Sequence, residues 1–351
     1  MESLRENNID EDTFAEASWL AMSLVLPMTM QAAVDLGVLD IIAKATPKQL
    51  SASDIIERLP AKNQEAESML DRILRLLASH NVISCYLRNS ERVYSLSRIS
   101  RFFVRDEDVI SLGASMSLNN DNVFFQSWSH LKDALLEGGV PFDRAHGMHA
   151  FEYPKTDSRF NSLFNTAMLN HTTIVMKEIV ANYKGFESLK QLVDVGGNQG
   201  ASLRAIISKY PHIKGINFDL PHIVQDASPH PGIEHVGGDM FERVPQGEAI
   251  FMKGILHDWS DRHCIQLLKN CHKSTPKDGK VIVMEAVLPV VPDERAPTKF
   301  THLSDVMMMT QNPGGKERTR DEFMALATAS GFRGITYECF PCNFWVMEFF
   351  K

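Results

Sequence analysis

A chain of 351 residues with 44% hydrophobic and 23% charged residues has the composition of an ordinary globular protein, with room for two or three domains. Its formal net charge of −8 argues against general nucleic-acid binding, because neutralising a phosphate backbone needs an excess of Lys and Arg. Five cysteines without framework spacing, and an acidic polar start without a leader pattern, point to free thiols in a reducing cytoplasm.

In chain order, residues 1–12 read as a frayed start. A helical pattern then runs from Thr13 to Lys44, broken or kinked at Pro27. Trp19, Met22, Leu26, Met30, Ala33 and Leu36 recur at spacings of three and four, a wide apolar face that predicts burial against a second copy. Residues 17–34 carry no formal charge, but Ser18, Ser23, Pro27, Thr29 and Gln31 make the stretch too polar for a membrane span.

A short helix over 50–59, a longer one over 65–80, and strands at 82–86 and 92–96 around a polar turn give a winged-helix layout. Glu65, Glu67 and Asp71 offset Arg72 and Arg75 on the second helix, so a dimerising use is expected rather than DNA binding. Residues 106–185 read as a helical connector, with one helix over 121–137 and another over 158–184. Its aromatic and sulfur side chains read mostly as core.

Residues 192–195 read as a buried strand, followed by Gly196, Gly197 and Gly200 and then a helix. Strand, glycine turn and helix open a doubly wound nucleotide-binding domain. The dinucleotide spacing and the Walker lysine are absent. Asp219, nineteen residues beyond Gly200, closes a second strand at 215–218, where an acid accepts hydrogen bonds from ribose hydroxyls. A ligand with a ribose but no diphosphate fits, and S-adenosylmethionine is one. Strands at 233–236, 249–252 and 281–284, helices at 260–274 and 320–330, and closing strands at 334–339 and 344–349 complete a mainly parallel sheet with helices on both faces. Cys339-x-x-Cys342 has no second ligand pair near it, so no metal is expected there.

Ligands in such sheets lie outside the carboxyl ends of the strands. Those ends carry Gly196, Asp219, Asp239, Lys253 and Glu285, with His257-Asp258-Trp259 just past the fourth strand. A histidine there is a candidate general base, and a carboxylate on its other ring nitrogen would fix its tautomer.

Leu192-Val-Asp-Val-Gly-Gly197, Gly215-Ile-Asn-Phe-Asp-Leu-Pro-His222, Glu234-His-Val-Gly-Gly-Asp-Met-Phe241, His257-Asp-Trp-Ser-Asp261 and Asn312-Pro-Gly-Gly-Lys-Glu-Arg-Thr319 carry a resemblance. Over essentially its whole length the chain resembles plant S-adenosylmethionine-dependent O-methyltransferases of the caffeic acid/flavonoid type. The resemblance implies an α/β, Rossmann-like class I methyltransferase sheet (113–351) behind an N-terminal, mostly helical winged-helix dimerisation domain (1–112). It implies a homodimer that methylates a small phenolic substrate without a metal, releases S-adenosylhomocysteine, and engages neither nucleic acid nor membrane. His257 looks like the base, Glu285 and Glu317 like the acids that orient it, and Gly196, Asp219, Asp239, Met240 and Lys253 like cofactor contacts. Asn119, Phe160, Phe164, Met168, His171, Asp258, Met308 and Asn312 fall where the family lines its acceptor pocket.

Three departures from the family pattern stand out. Asn198-Gln199 stand in the glycine loop, Leu118 replaces a common Met, and Gly254 stands where relatives usually carry Trp. Gly254 therefore either opens room for a bulkier acceptor or leaves a gap that Phe124 or another neighbour fills. N-methylation of an aromatic amine on the same scaffold, and a non-catalytic dimer that binds cofactor or DNA, are the alternative readings.

Overall fold

A computed structural model describes residues 10–351 apart from 106 and 226. Two compact units divide between Asn120 and Asp121, eight residues beyond the boundary expected from the sequence.

The first unit begins with α1 (Glu11–Ala21), α2 (Val25–Asp35) and α3 (Val38–Ala45). The helical pattern expected from Thr13 to Lys44, broken or kinked at Pro27, is thus three helices. The bend of 56° between α1 and α2 falls before Pro27, not at it. Pro27 is the third residue of α2, in the first turn, where a missing N–H costs no helical hydrogen bond. Gly37, with φ of +67°, makes the second break. The apolar positions therefore part company: Met30 and Ala33 are buried, whereas Trp19, Met22 and Leu36 are exposed. Of the expected frayed start, residues 1–9 lie outside the described residues, while Asp10 caps α1 through the Asp12 amide.

α4 (Ala52–Ile56), α5 (Ala66–Ser79), β1 (Ile83–Arg88) and β2 (Glu91–Leu96) form the winged-helix layout. Ser51 and Asp54 make a reciprocal capping box on α4. Asn89 and Ser90, both at positive φ, turn the hairpin in two residues. Leu70, Leu74 and Leu77 of α5 pack with Leu39, Ile42, Leu50 and Ile83 into one core. α6 (Gly113–Asn119) completes this unit.

The second unit opens with α7 (Asn122–Trp128), α8 (Leu131–Glu137), α9 (Pro141–His146) and the long α10 (Ser158–Asn182). The helix expected over 121–137 is interrupted at Ser129-His130, and Pro141 starts α9 at its first position, where proline is tolerated. Then follow β3 (Gln191–Val195), α11 (Ala201–Lys209), β4 (Lys214–Asp219), α12 (Pro221–Val224), β5 (Ile233–Gly237), β6 (Ala249–Lys253), α13 (Asp261–Ser274), β7 (Lys280–Glu285), β8 (Val287–Leu288), α14 (Ala296–Gln311), β9 (Arg318–Thr319), α15 (Arg320–Ala329), β10 (Gly334–Cys339) and β11 (Trp345–Phe350).

Seven strands make one sheet in the order β10-β11-β7-β6-β3-β4-β5, antiparallel at β10-β11-β7 and parallel from β7 to β5. Residues on β3, β6 and β7 are buried on both faces, so apart from Asp194 and the strand ends these strands read as runs of Val, Ile, Leu, Phe and Met. One face packs on α10 and α11 through Met176, Ile179, Leu203 and Ile206. The other packs on α13 and α15 through Leu267, Leu268, Phe323 and Leu326. Burying each such side chain is worth about 1.5–3 kcal/mol. The strand order reverses between β3 and β6, which opens a crevice at their carboxyl ends.

Candidate active site

The crevice begins at the glycine loop after β3. Gly196 has φ of +69°, and a side chain there would collide with Ile255. A Cβ on Gly197 would run into the side-chain oxygens of Asn217 and Asp194. The loop is thus held tight over a polar floor, and its backbone is left bare. Asn198 takes φ of +51°, a left-handed conformation asparagine tolerates, so its place in the glycine loop is compatible with the turn.

Asp219, at the end of β4, accepts from the Asn198 amide at 2.8 Å and the Leu220 amide at 2.7 Å. It therefore braces the loop as well as facing the crevice. Burial raises its pKa, while those two amides pull it back. Asp239 lies past β5 and caps its own turn through the Phe241 amide. The Met240 carbonyl accepts from Asn270 on α13.

Lys253 ends β6. Burial lowers the pKa of its ammonium, opposed by the carboxylates of Asp194, Glu285 and Asp258. Asp194 was not singled out in the sequence. It is 1% exposed, its Oδ2 has no hydrogen-bond partner among the described residues, and burial pushes its pKa up to about 8 despite Lys253. The available signal was an acid in the middle of a buried strand. A cradle of bare backbone, a crevice acid and an unpartnered buried carboxylate beside a lysine fits a ligand that carries hydroxyls and a charged amino-acid end.

Beyond β6 the chain makes a single turn of 3-10 helix, Leu256–Asp258. His257 Nδ1 donates to Glu317 Oε1 at 3.0 Å and lies 3.8 Å from Glu285 Oε2, while Nε2 is 3.7 Å from Asp258 Oδ1. The His257 side chain keeps 19% of its surface exposed, whereas Glu285 and Glu317 are buried. Pairing of β8 with β9 explains the convergence: it sets Val287 beside Arg318, and so brings together the acids just upstream of each. Burial alone would lower the His257 pKa, but Glu285, Asp258 and Glu317 overcome it and push it up to about 10. Burial also raises Glu285 and Asp258.

The two glutamates differ in task. Glu285 Oε1 accepts from the amides of Ile255 and Leu256 at 2.9 and 2.7 Å, so it holds the turn and only faces the ring. Glu317 bonds the ring, and is itself fixed by the Ser304 hydroxyl at 2.6 Å and by Asp305, which accepts from its amide at 2.9 Å. Ser304 and Asp305 lie on α14, a helix absent from the sequence reading, and nothing in the sequence marked them.

His257, Glu285 and Glu317 offer ligand atoms within 4.8 Å of one another, a spacing that would also hold a metal ion. Nδ1, however, is already bonded to Glu317, an arrangement that handles a proton.

The expected acceptor residues divide. His171 lies near Lys253 and His257, and burial plus these two cations push its pKa down to about 3, so its imidazole is neutral. Its ring meets Phe344 edge-on at 5.6 Å. Phe164 and Met168 are half-buried on the same helix, α10. Phe160 is fully enclosed with Phe124 and Tyr153 in an edge-to-face cluster and so backs Phe164 rather than facing open space. Asn312 donates to Asp258 Oδ1 at 2.8 Å and touches the Met308 sulfur, both residues being buried. Asn119 closes α6 in the first unit. Gly254 has φ of +61°, and a Cβ there would meet, among the described residues beyond its chain neighbours, only the His257 ring within 4 Å, at 3.4 Å from Nε2. Phe124 is not among the atoms within 4 Å of that Cβ position.

Residues 128–333 match the model of an O-methyltransferase domain, and residues 19–106 match an O-methyltransferase dimerisation domain. The chain belongs to the O-methyltransferase family. The enzyme is 55% identical to a catechol O-methyltransferase of Solanum lycopersicum, over 97% of this chain and 96% of the relative. It is 52% identical to an anthranilate N-methyltransferase of Ruta graveolens, over 97% and 94%. Human N-acetylserotonin methyltransferase, solved with S-adenosylmethionine, superposes with a TM-score of 0.81 at 21% identity, over 100% of this chain and 99% of that one. The methyl donor of this O-methyltransferase is S-adenosylmethionine, which the glycine loop and strand ends described above fit.

Proposed function

We propose that this enzyme methylates a phenolic hydroxyl of a phenylpropanoid- or flavonoid-type acceptor with His257 as general base. One observation carries the reading: His257 Nδ1 is bonded to Glu317, while Nε2 faces the Cβ position of Gly254 at 3.4 Å and lies 3.7 Å from Asp258 Oδ1. Bound S-adenosylmethionine supplies an electrophilic methyl group and its own leaving group. What remains for the chain is to align the acceptor and remove its proton. A phenol has a pKa of about 10, and the carboxylates bring the His257 imidazolium to about the same value. Proton transfer to Nε2 is then nearly balanced in energy, and Glu317 steadies the cation that results. Gly196, Asp219, Asp239, Met240 and Lys253, with Asp194 beneath them, would hold the donor. His171, Phe164, Met168, Met308 and Asp258 would border the acceptor.

N-methylation is the second reading, favoured by the 52% identity to an anthranilate N-methyltransferase. An aromatic amine is already nucleophilic and needs no base before transfer, so the His257-Glu317 pair weighs toward oxygen. We further place the enzyme in the cytoplasm, where its five free cysteines stay reduced, as a homodimer through its N-terminal unit. Labelled S-adenosylmethionine offered with catechols, flavonoids and anthranilate tests the proposal. Label on oxygen supports it, and label on nitrogen alone contradicts it.

A further inference from the structure

Arg318 is the largest fully buried side chain described in the chain, with no exposed surface. A buried guanidinium carries five donors that need acceptors, and an unpaired buried charge is strongly destabilising. Its acceptors are specific. Nη1 donates to the Leu256 carbonyl at 2.7 Å and to the Lys316 carbonyl at 3.3 Å. Nη2 donates to the Trp259 carbonyl at 2.7 Å, and Nη2 and Nε both donate to Asp261 Oδ1, at 2.8 and 2.9 Å. Leu256 and Trp259 are the residues on either side of His257-Asp258. The fork thus bridges the two ends of the turn that carries the base and ties both to the first residue of α13.

The same segment grips the turn elsewhere. The Lys316 amide donates to the His257 carbonyl at 2.9 Å. Gly315 packs so closely that a Cβ would stand 3.0 Å from the His257 carbonyl oxygen. From the other side Glu285 takes the turn's amides. Carbonyls held by Arg318 and amides held by Glu285 leave the turn little freedom to rotate His257 away from Glu317.

We propose that Arg318 is a positioning residue for His257: it fixes the backbone of the turn so that Nδ1 stays on Glu317 and Nε2 faces the acceptor. This rests on the reading of His257 as base. Lysine at 318 keeps the charge but cannot bridge both carbonyls as a planar fork does. Any change in the titration of His257 then reports geometry rather than charge. The groups facing His257 are Asp258 from its own turn, Glu285 from the end of β7, Glu317 ahead of β9, Lys253 from the end of β6 and His171 from α10. Loss of alignment with the three carboxylates lowers the pKa of the imidazolium, so the acid limb of the pH profile moves down.

The experiment measures kcat/KM against pH for wild type, Arg318→Lys and His257→Gln with one catechol acceptor, and S-adenosylmethionine affinity for each. For Arg318→Lys the expected result is a plateau lowered about 10- to 100-fold, as for an ångström-scale misplacement, with an acid limb shifted to lower pH and cofactor affinity within about twofold. A profile that is unchanged, or scaled by one factor at every pH, overturns the proposal, because a merely structural loss of folded enzyme scales without shifting. Should Arg318→Lys fail to bind cofactor, Asp261→Glu carries the test, since it keeps the charge but displaces the carboxylate that holds the fork. A smaller shift in the same direction supports the proposal, and no shift overturns it. His257→Gln separates the two claims. If its acid limb persists, the base assignment fails. If that limb vanishes while Arg318→Lys only scales, the fault lies with Arg318 alone.

Discussion

At the scale of single residues, the account turns on which nitrogen of His257 is free. The Nδ1 bond to Glu317 decides it, and three carboxylates raise the pKa of the ring to about 10. A base works in its neutral form, so a raised pKa in the free enzyme moves the acid limb of kcat/KM upward. The profile should still be climbing above pH 8, where an unperturbed histidine, with a pKa of about 6.5, would have levelled off. A plateau reached by pH 7 would contradict the raised pKa. Gly254 makes a second residue-level case. A Cβ there would stand 3.4 Å from Nε2, with no other described residue apart from its chain neighbours within 4 Å, and this is the space proposed for the acceptor. Gly254→Trp should lower kcat/KM for a flavonoid more than for caffeate, and equal losses for both would show that Gly254 does not sort acceptors by size. Asp219→Ala should weaken S-adenosylmethionine binding by about 1–3 kcal/mol, read by calorimetric titration, with unchanged affinity removing Asp219 from the cofactor site.

At the scale of elements, the strand-end residues were legible in the sequence because the parallel sheet puts every ligand-facing group at a strand's carboxyl end. Strands β3 to β7 appear within a residue or so of where apolar runs and flanking glycines predict them. What was not legible depends on neighbours remote in sequence. Pro27 reads as a helix breaker, yet in the first turn of α2 it breaks nothing. α14 mixes Thr, Ser and His with its methionines, so it shows no clean apolar stripe. Yet it brings Ser304 to Glu317, thirteen residues away. Nor could spacing reveal that Glu285 serves mainly the backbone of the turn, since that rests on the pairing of β6 with β7. Ser304→Ala tests the α14 contact. Loss of one hydrogen bond to a charged acceptor costs about 1.5–3 kcal/mol, and turnover should fall without a change in cofactor affinity. Unaltered turnover would show that Glu317 is held well enough by His257 and Asp305.

At the scale of the whole molecule, α1, α2 and the turn between them display Phe14, Trp19, Leu20, Met22, Val25 and Met28 at the surface, an apolar face of the kind that marks a protein contact. No single helix among the described residues is long and apolar enough to cross a membrane, although the bent α1–α2 pair passes that test by length and composition together. The dimerisation-domain match begins at residue 19, within α1, and a two-fold interface is the partner these helices fit. Deletion of residues 1–40 should give aggregation or loss of activity, followed by sedimentation and methyl-transfer assay. A monodisperse, fully active monomer would refute the dimer. The catalytic claim for the molecule as a whole is that the chain's part in the chemistry is removal of a proton by His257. Its most direct test compares wild type with His257→Gln under conditions where chemistry limits the rate. One acceptor is a catechol with an ordinary pKa and the other a nitro-substituted catechol already ionised at the assay pH. The account predicts a loss of about 10²-fold or more for the first and a much smaller loss for the second, whereas equal losses for both, or none for either, would contradict it.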